Sequence, residues 1–108
     1  MSPAIKSIEL SGILDGPQAK PFHQMIDDAL RAGADIILVD LKDVKFVDSS
    51  GLGALVTGLK AARAANKKMY FCSINDQIRM LFELTSMDQV FEVFADRDAF
   101  HRSMLVSR

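Results

Sequence analysis

A carboxylate and two hydroxyls stand side by side in the segment DSSGLG, residues 48–53. The segment follows the apolar run of a predicted strand and directly precedes a helical pattern. Aspartate and serine side chains at such a position accept hydrogen bonds from the unpaired N–H groups of the helix start, which stabilises a helix by about 1 kcal/mol. Capping explains one serine and the acid, and on the local pattern alone it is the favoured interpretation. Capping leaves one hydroxyl without a role, and three other kinds of chemistry could use that hydroxyl.

The first alternative is a phosphate-binding loop. A P-loop requires the pattern G-x-x-x-x-G-K-[ST], in which the lysine reaches the phosphates. Gly53 and Gly58 have the right separation, but Leu59 stands in place of the lysine. The glycines do not match G-x-G-x-x-G either. An anion could still contact this helix start, since free N–H groups attract negative charge, but nothing in the sequence makes such a contact specific for a nucleotide.

The second alternative is a nucleophilic serine, which requires a base within hydrogen-bond reach. The two histidines, His23 and His101, fall in the predicted first and last helices and are interpreted as surface or boundary residues. The pattern G-x-S-x-G is absent. Two scattered histidines do not make a metal site with Cys72, whose apolar strand indicates core packing. The sequence therefore predicts no enzymatic activity, no cofactor and no bound metal.

The third alternative is covalent modification. A serine at an exposed helix N-terminus can carry a phosphate at little cost, because the helix dipole and the free N–H groups favour negative charge. The fold would survive, and the surface presented to a partner would change. The local pattern permits this interpretation without requiring it.

Composition excludes several classes of protein. A chain of 108 residues suffices for one compact domain with its own core, so we expect a single domain over residues 1–108. The formal net charge of −1 lacks the basic excess of proteins that bind nucleic acid through phosphates. No apolar run approaches the roughly 20 residues of a membrane-spanning helix, and no secretory signal is visible. The single Cys72 cannot form an internal disulfide, which favours a cytoplasmic protein.

Hydrophobic spacing predicts alternating strands and helices. Residues 36–39 form an unbroken apolar run, typical of a strand that is covered on both faces. Strands are predicted at 7–14, at 35–41 with an extension over 44–47, at 67–74 and at 88–95. Helices are predicted at 18–32, at about 50–65, from Asn75 through Phe82, and at 96–105. This alternation predicts an α/β fold with a mainly parallel or mixed sheet and about four helices.

Particular residues mark the ends of the helices. Pro21 is expected in the first turn of the first helix, where its missing N–H costs little. Gly33 and Asn66 are expected to end the first and second helices. Asn75 is expected to cap the third. In the second helix, the spacing of Leu55 and Leu59 predicts that both face the sheet.

The chain resembles a STAS domain, and in particular the stand-alone bacterial anti-sigma factor antagonists. The strongest element is VKFVDSSGLGALVTGLKAARAANKKM, residues 44–69. SGILDG, residues 11–16, resembles the G-x-L-D turn at a strand end of the family, and QIRMLFELTSMDQVFEVFAD, residues 77–96, resembles its C-terminal helix and strand. The resemblance runs from about residue 7 to residue 100. Three elements in order, on a matching α/β pattern, make it specific.

The resemblance implies a switch protein. In the family, the serine directly after the motif's aspartate is phosphorylated by a partner kinase that doubles as an anti-sigma factor. That serine is Ser49 in this chain. The unphosphorylated antagonist binds the anti-sigma factor and frees a sigma factor. Phosphorylation breaks this partnership, and a metal-dependent serine phosphatase restores it.

The resemblance also implies a partner-binding surface around the serine. Asp48 matches the acid beside the target, and Ser50 occupies a position where the family accepts serine or threonine. Asp15 matches the acid of the G-x-L-D turn, which lies near the target serine in the family fold. The residues implied to bind a partner are Asp15, Asp48, Ser49, Ser50, Gly51, Leu52 and Gly53.

Two departures from the family pattern concern the N-terminal part of the chain. Family members commonly have an extra strand before G-x-L-D, whereas only eleven residues precede Gly12 here. The sheet edge is therefore either shorter, or residues 1–6 play a reduced version of that strand's role. The second departure is Ile13, which stands where an acid or a polar residue is frequent.

A second function class stays open. STAS domains also serve as accessory or scaffold subunits of larger complexes, such as lipid transporters, in which the serine loop need not be phosphorylated. The intact DSSGLG favours the switch, since a scaffold has no need of a hydroxyl at Ser49. A small hydrolase is disfavoured because no base is in evidence.

Overall fold

The structure is a computed structural model, and it describes residues 2–106. Strands and helices alternate along the chain, as the hydrophobic spacing predicts. A 3₁₀ helix at Met87–Gln89 precedes the last strand. The strands are β1 (Ile5–Leu14), β2 (Ile36–Val47), β3 (Lys68–Cys72) and β4 (Val93–Phe94), and the helices are α1 (Gly16–Arg31), α2 (Ser49–Ala64), α3 (Asp76–Leu84) and α4 (Arg97–Val106).

Over residues 2–106 the four strands form one sheet in the order β1-β2-β3-β4, and every pairing is parallel. Each crossover between neighbouring strands contains a helix, which is what parallel pairing requires. The predicted α/β fold is confirmed. The carboxyl ends of the strands all point to one edge, and the loop after β2 carries the DSSGLG segment.

The sheet is covered on both faces, as the apolar run of β2 predicts. Ile37, Val39 and Leu41 are buried against a core to which α1, α2 and α3 contribute. Ile36 and Leu38, on the other face, pack with Phe100 of α4. Alternate residues of a strand point to opposite faces, so β2 contributes side chains to both hydrophobic cores.

The predicted helix ends are largely confirmed. Gly33 and Asn66 adopt positive φ angles of 90° and 62° after α1 and α2. Asn75 caps α3 by accepting a hydrogen bond from the N–H of Ile78 at 2.9 Å. The placement of Pro21 in a first turn is wrong. Because α1 begins at Gly16, Pro17 is the proline of its first turn, and Pro21 falls inside the helix.

The prediction of a strand over 88–95 is mostly wrong. Only Val93–Phe94 pair with β3. The N–H groups of Val90 and Phe91 instead donate to the carbonyl of Met87 at 3.0 and 2.7 Å. Backbone donors used in this turn are not available to a neighbouring strand, which explains the short β4.

The N-terminal residues extend β1 rather than forming a separate strand. β1 begins at Ile5, and the carbonyl of Ala4 accepts a hydrogen bond from the N–H of Asp35 at 2.8 Å. The shorter sheet edge considered above is therefore what residues 2–106 show. Met1 lies outside the described residues.

Candidate functional site

The cap of α2 is the aspartate of DSSGLG. Asp48 Oδ1 accepts a hydrogen bond from the N–H of Gly51 at 2.8 Å, and the Asp48 carbonyl accepts one from Leu52 at 2.8 Å. Ser49 and Ser50 are the first two residues of the helix, and both are exposed. No hydrogen bond among residues 2–106 involves either hydroxyl. The acid alone therefore performs the capping, and both serines are left for other chemistry.

The end of β1 holds this loop from one side. The Leu14 carbonyl accepts a hydrogen bond from the N–H of Asp48 at 3.2 Å. Gly51 is buried directly on Leu14, and a Cβ at position 51 would overlap the Leu14 carbonyl. The glycine of DSSGLG is thus required by close backbone packing.

The turn after β1 borders the serines. A Cβ placed on Gly16 would lie 3.8 Å from the Cβ of Ser50, so the first residue of α1 lies beside the first turn of α2. Asp15 immediately precedes Gly16. Its side chain is partly buried, makes no capping bond to α1, and has a buried Oδ1 with no hydrogen-bond partner among the described residues. The fold therefore brings the two acidic turns together without using the Asp15 carboxylate to hold them.

The first turn of α3 holds the loop from the other side. Gln77 Oε1 accepts from the N–H of Val47 at 3.0 Å, and Gln77 Nε2 donates to the Val47 carbonyl at 2.9 Å. Asn75 Nδ2 donates to the carbonyls of Val44 and Lys45 at 3.3 and 3.0 Å. β3 pairs with β2 only as far as Asp40, so these two amides replace a neighbouring strand for the end of β2.

Sequence reasoning missed the role of Gln77. The only available signal is a polar amide in the first turn of the helix that follows the neighbouring strand. Which backbone groups it would reach depends on the path of β2 and cannot be read from spacing.

The predicted partner-binding residues differ in exposure. Ser49, Ser50 and Gly53 are exposed, and Asp15 and Asp48 are partly buried. Gly51 is buried, and Leu52, with 8% of its surface exposed, packs in the core. Gly51 and Leu52 can therefore contribute to a partner surface only indirectly, because they set the conformation of the loop. Their assignment as partner-binding residues stays a prediction.

A family model described as the STAS domain matches residues 2–99. The chain belongs to the STAS domain family. The anti-sigma-B factor antagonist of Staphylococcus aureus is 30% identical to it over 86 residues, which cover 80% of each chain. Relatives of this kind are regulatory binding proteins rather than enzymes, and the prediction of a binding protein is confirmed at that level.

Solved structures share the fold of this STAS domain. The anti-sigma factor antagonist SpoIIAA in its unphosphorylated form has a TM-score of 0.74 at 20% identity, over 95% of this chain and 90% of that one. A sulfate transporter family protein from Wolinella succinogenes has a TM-score of 0.82 at 14% identity, over 100% of this chain and 93% of that one. The fold alone thus occurs in both function classes, and the choice between them depends on the serine loop.

The histidines and the cysteine of the STAS domain are placed as structural residues. His23 Nε2 lies 3.2 Å from the carbonyl of Ala54, to which it can only donate, between α1 and α2. His101 is exposed on α4. Burial raises the pKa of the Cys72 thiol, which disfavours the reactive thiolate. Within residues 2–106 no group of three His, Cys, Asp or Glu residues could hold a metal ion.

An ion pair with a buried carboxylate is a second polar feature that the sequence did not reveal. Asp40, with 6% of its surface exposed, accepts from Arg97 Nε at 2.7 Å and from the N–H of Lys42 at 3.0 Å. Burial alone would raise the pKa of the Asp40 carboxyl, but these donors outweigh it and hold the pKa below its ordinary value. Arg97 also lies 3.4 Å from Glu9. The pair attaches the start of α4 to the sheet.

Among residues 2–106, no helix combines the length and apolar character needed to cross a bilayer.

Proposed function

We propose that this STAS domain is a bacterial anti-sigma factor antagonist that works in the cytoplasm, and that phosphorylation of Ser49 switches its binding. The observation that carries the proposal is that the aspartate of DSSGLG caps the helix and the serines do not. Asp48 caps α2, so Ser49 is an exposed hydroxyl at the first helical residue, in a loop held by Leu14 and Gln77. The name of the S. aureus relative supports the antagonist function.

The helix start can accept a phosphate on Ser49 without loss of the fold. The first N–H groups of a helix have no intrahelical partner. That of Asp48 donates to the Leu14 carbonyl and that of Gly51 to the Asp48 side chain, so among the described residues those of Ser49 and Ser50 are left for a phosphate. A phosphate adds about −1.5 to −2 charges and three acceptor oxygens. Because these oxygens would lie at the positive end of the α2 dipole, we expect the phosphorylated protein to stay folded.

A partner seated on the loop meets a different surface after phosphorylation. Asp15 and Asp48 flank the serines, so the phosphate adds a third negative group to one small area. Bulk, repulsion and desolvation of the phosphate then all oppose binding. A loss of ten- to a hundred-fold in affinity requires only about 1.4–2.8 kcal/mol.

The partners in this proposal are proteins. An anti-sigma factor that is also a serine kinase binds the unphosphorylated form and releases its sigma factor. A metal-dependent serine phosphatase regenerates that form. Nucleic acid and membrane insertion have no part in the switch. The partner-binding residues are those of the two acidic turns, namely Asp15, Asp48, Ser49, Ser50, Gly51, Leu52 and Gly53.

The test is label transfer and binding with the small ATP-binding serine kinases of the source genome, each purified. Wild type, Ser49→Ala, Ser49→Asp and Ser50→Ala are compared. We expect one kinase to bind wild type and to label it, Ser49→Ala to bind without being labelled, Ser49→Asp to bind poorly while folded, and Ser50→Ala to be labelled. Label on Ser50 instead of Ser49 would refute the site. Unchanged binding by fully phosphorylated protein would refute the switch.

A further inference from the structure

Two large apolar side chains lie exposed next to each other near the serine loop. Ile13 of β1 and Phe46 of β2 are direct partners in the parallel register, and 57% and 45% of their surfaces are exposed. The residues that follow them, Leu14 and Val47, are buried in the core below α1 and α2. Since successive side chains alternate between faces, Ile13 and Phe46 project from the opposite face of the sheet. We call them the apolar pair.

Helix α4, which covers that face, does not reach the apolar pair. Its Phe100 packs on Ile36 and Leu38, toward the start of β2. Between that core and the apolar pair lies a polar stretch that includes Glu9 and Asp40 with Arg97. The carboxyl end of β1 and β2 therefore carries apolar surface that no described part of the chain covers.

Two irregularities in the pairing of β1 with β2 lie directly before this pair. The β1–β2 register shifts twice, between Glu9 and Ser11 and again between Gly12 and Ile13, and Gly12 has a φ of 75°. Bulges of this kind re-aim side chains and are common beside functional sites. The second shift directly precedes the alignment of Ile13 with Phe46.

The apolar pair lies close enough to Ser49 for one partner to cover both. Phe46 precedes Ser49 by three residues, so their Cα atoms are at most about 11 Å apart. A partner that buries a standard area of about 800 Å² on this side covers a patch of roughly 16 Å radius. Interfaces of this size have an apolar centre and a polar rim. The exposed residues of the serine loop, Ser49, Ser50 and Gly53, include no large apolar side chain, and the apolar pair supplies one.

We propose that Ile13 and Phe46 form the apolar anchor of the surface that binds the anti-sigma kinase, with the Ser49 loop at its rim. This inference rests on the proposed function and deepens it. The partner carries an apolar side chain or pocket opposite Phe46, next to the group that receives Ser49. The anchor supplies most of the affinity, and the phosphate on the adjoining rim decides whether the anchor can be reached.

The experiment titrates the kinase that labels Ser49 against unphosphorylated variants. Phe46→Ser should lower the affinity about thirty-fold or more, the loss typical of a buried aromatic anchor. Ile13→Thr, which keeps the branched shape on the strand, should lower it about five-fold. Phe46→Leu should recover most of the loss. The matched control is Leu84→Ser at the far end of α3, where 78% of the side chain is exposed, and we expect less than a two-fold change there.

The outcomes separate this inference from the proposed function. Wild-type affinity in both Phe46→Ser and Ile13→Thr, with normal labelling of Ser49, would overturn the anchor and leave the switch standing. Failure of every kinase to bind or label wild type would overturn the switch and the anchor together. Thermal melts of each variant show whether a loss of affinity is caused by unfolding. If Phe46→Ser proves to be unfolded, the affinity of Ile13→Thr tests the anchor in its place. If free wild type sediments as a dimer that Ile13→Thr converts to a monomer, the pair binds a second copy of this chain and the anchor is refuted.

Discussion

Gly51 of α2 lies directly on the main chain of Leu14 at the end of β1, so that a Cβ on residue 51 would overlap the Leu14 carbonyl. The same carbonyl accepts the N–H of Asp48. One peptide group of β1 therefore positions both the cap and the first turn of the helix that carries Ser49.

Gly51→Ala should displace the start of α2 from β1. Relief of the overlap requires a backbone shift, and such shifts typically lower the free energy of unfolding by about 1–3 kcal/mol. Because the shift moves the helix start that carries Ser49, the rate at which a kinase labels Ser49 should also fall. The matched control is Gly53→Ala two residues later, where a Cβ meets no other atom. Alanine is favoured over glycine in a helix by up to about 1 kcal/mol, so the control should be neutral or stabilising. Denaturant unfolding measures both, and an unaffected Gly51→Ala would contradict the close approach.

Leu55→Ala should destabilise the protein far more than Ser49→Ala. Leu55 is fully buried in the core, and truncating such a side chain costs about 2–5 kcal/mol. Ser49 is exposed and does not cap the helix, so Ser49→Ala should cost less than the 1 kcal/mol or so of a cap. Thermal melts of the two variants test the order. The reverse ranking would mean that the buried face of α2 is wrongly assigned.

Asp48→Ala should show the cost of the cap itself. Loss of the bond from the Gly51 N–H is expected to lower the free energy of unfolding by about 1 kcal/mol. Asp48→Asn retains an acceptor oxygen and should recover most of this loss. If Asp48→Ala melts like wild type while Ser49→Ala does not, the serine is the cap after all.

Gln77→Ala should leave the N–H and the carbonyl of Val47 without their side-chain partners. Each unsatisfied, partly buried group costs about 1–3 kcal/mol, less where water can reach it. Gln24→Ala removes an exposed amide whose partner is the side chain of Asp28, and serves as the control with little expected effect. Hydrogen exchange at the Val47 amide gives a direct readout, since exchange should accelerate in Gln77→Ala and not in Gln24→Ala. Equal exchange rates in the two variants would contradict the hydrogen bonding of the Val47 main chain by Gln77.

The Asp40–Arg97 ion pair should make the free energy of unfolding depend on pH in the acid range. The folded-state pKa of Asp40 lies below its ordinary value of 3.8, so its contribution is fully present above that value. The contribution is lost as the pH falls through the lower, folded-state pKa. At pH 7, Arg97→Ala should cost about 1–3 kcal/mol, because it leaves a buried carboxylate short of a donor.

The pH series distinguishes the pair from a general effect of charge. The gap in melting temperature between wild type and Arg97→Ala should narrow as the pH falls below the ordinary value of 3.8. Arg102→Ala, which removes an exposed arginine from the same helix, should show no such gap at any pH. A gap that stays constant into acid would mean that Arg97 acts through packing alone.

The sequence by itself determined the features that depend on near neighbours. The apolar run of β2, the buried face of α2 and the helix ends at Gly33, Asn66 and Asn75 were all predicted, because each follows from spacing or from backbone preferences within a few residues. The alternation of strands and helices predicted a mainly parallel or mixed sheet, and in residues 2–106 every pairing proves to be parallel. The DSSGLG segment could also be placed in advance on the loop between β2 and α2.

Tertiary structure alone decided which atoms of that loop are occupied and which are free. The contacts of Gly51 with Leu14, of Val47 with Gln77 and of Asp40 with Arg97 join residues about 30 to 57 positions apart. Local pattern cannot distinguish a capping aspartate from a capping serine, nor can it place Ile13 beside Phe46 across two register shifts. Such pairings depend on the path of two strands through a common sheet, and that path is set by the packing of the whole core.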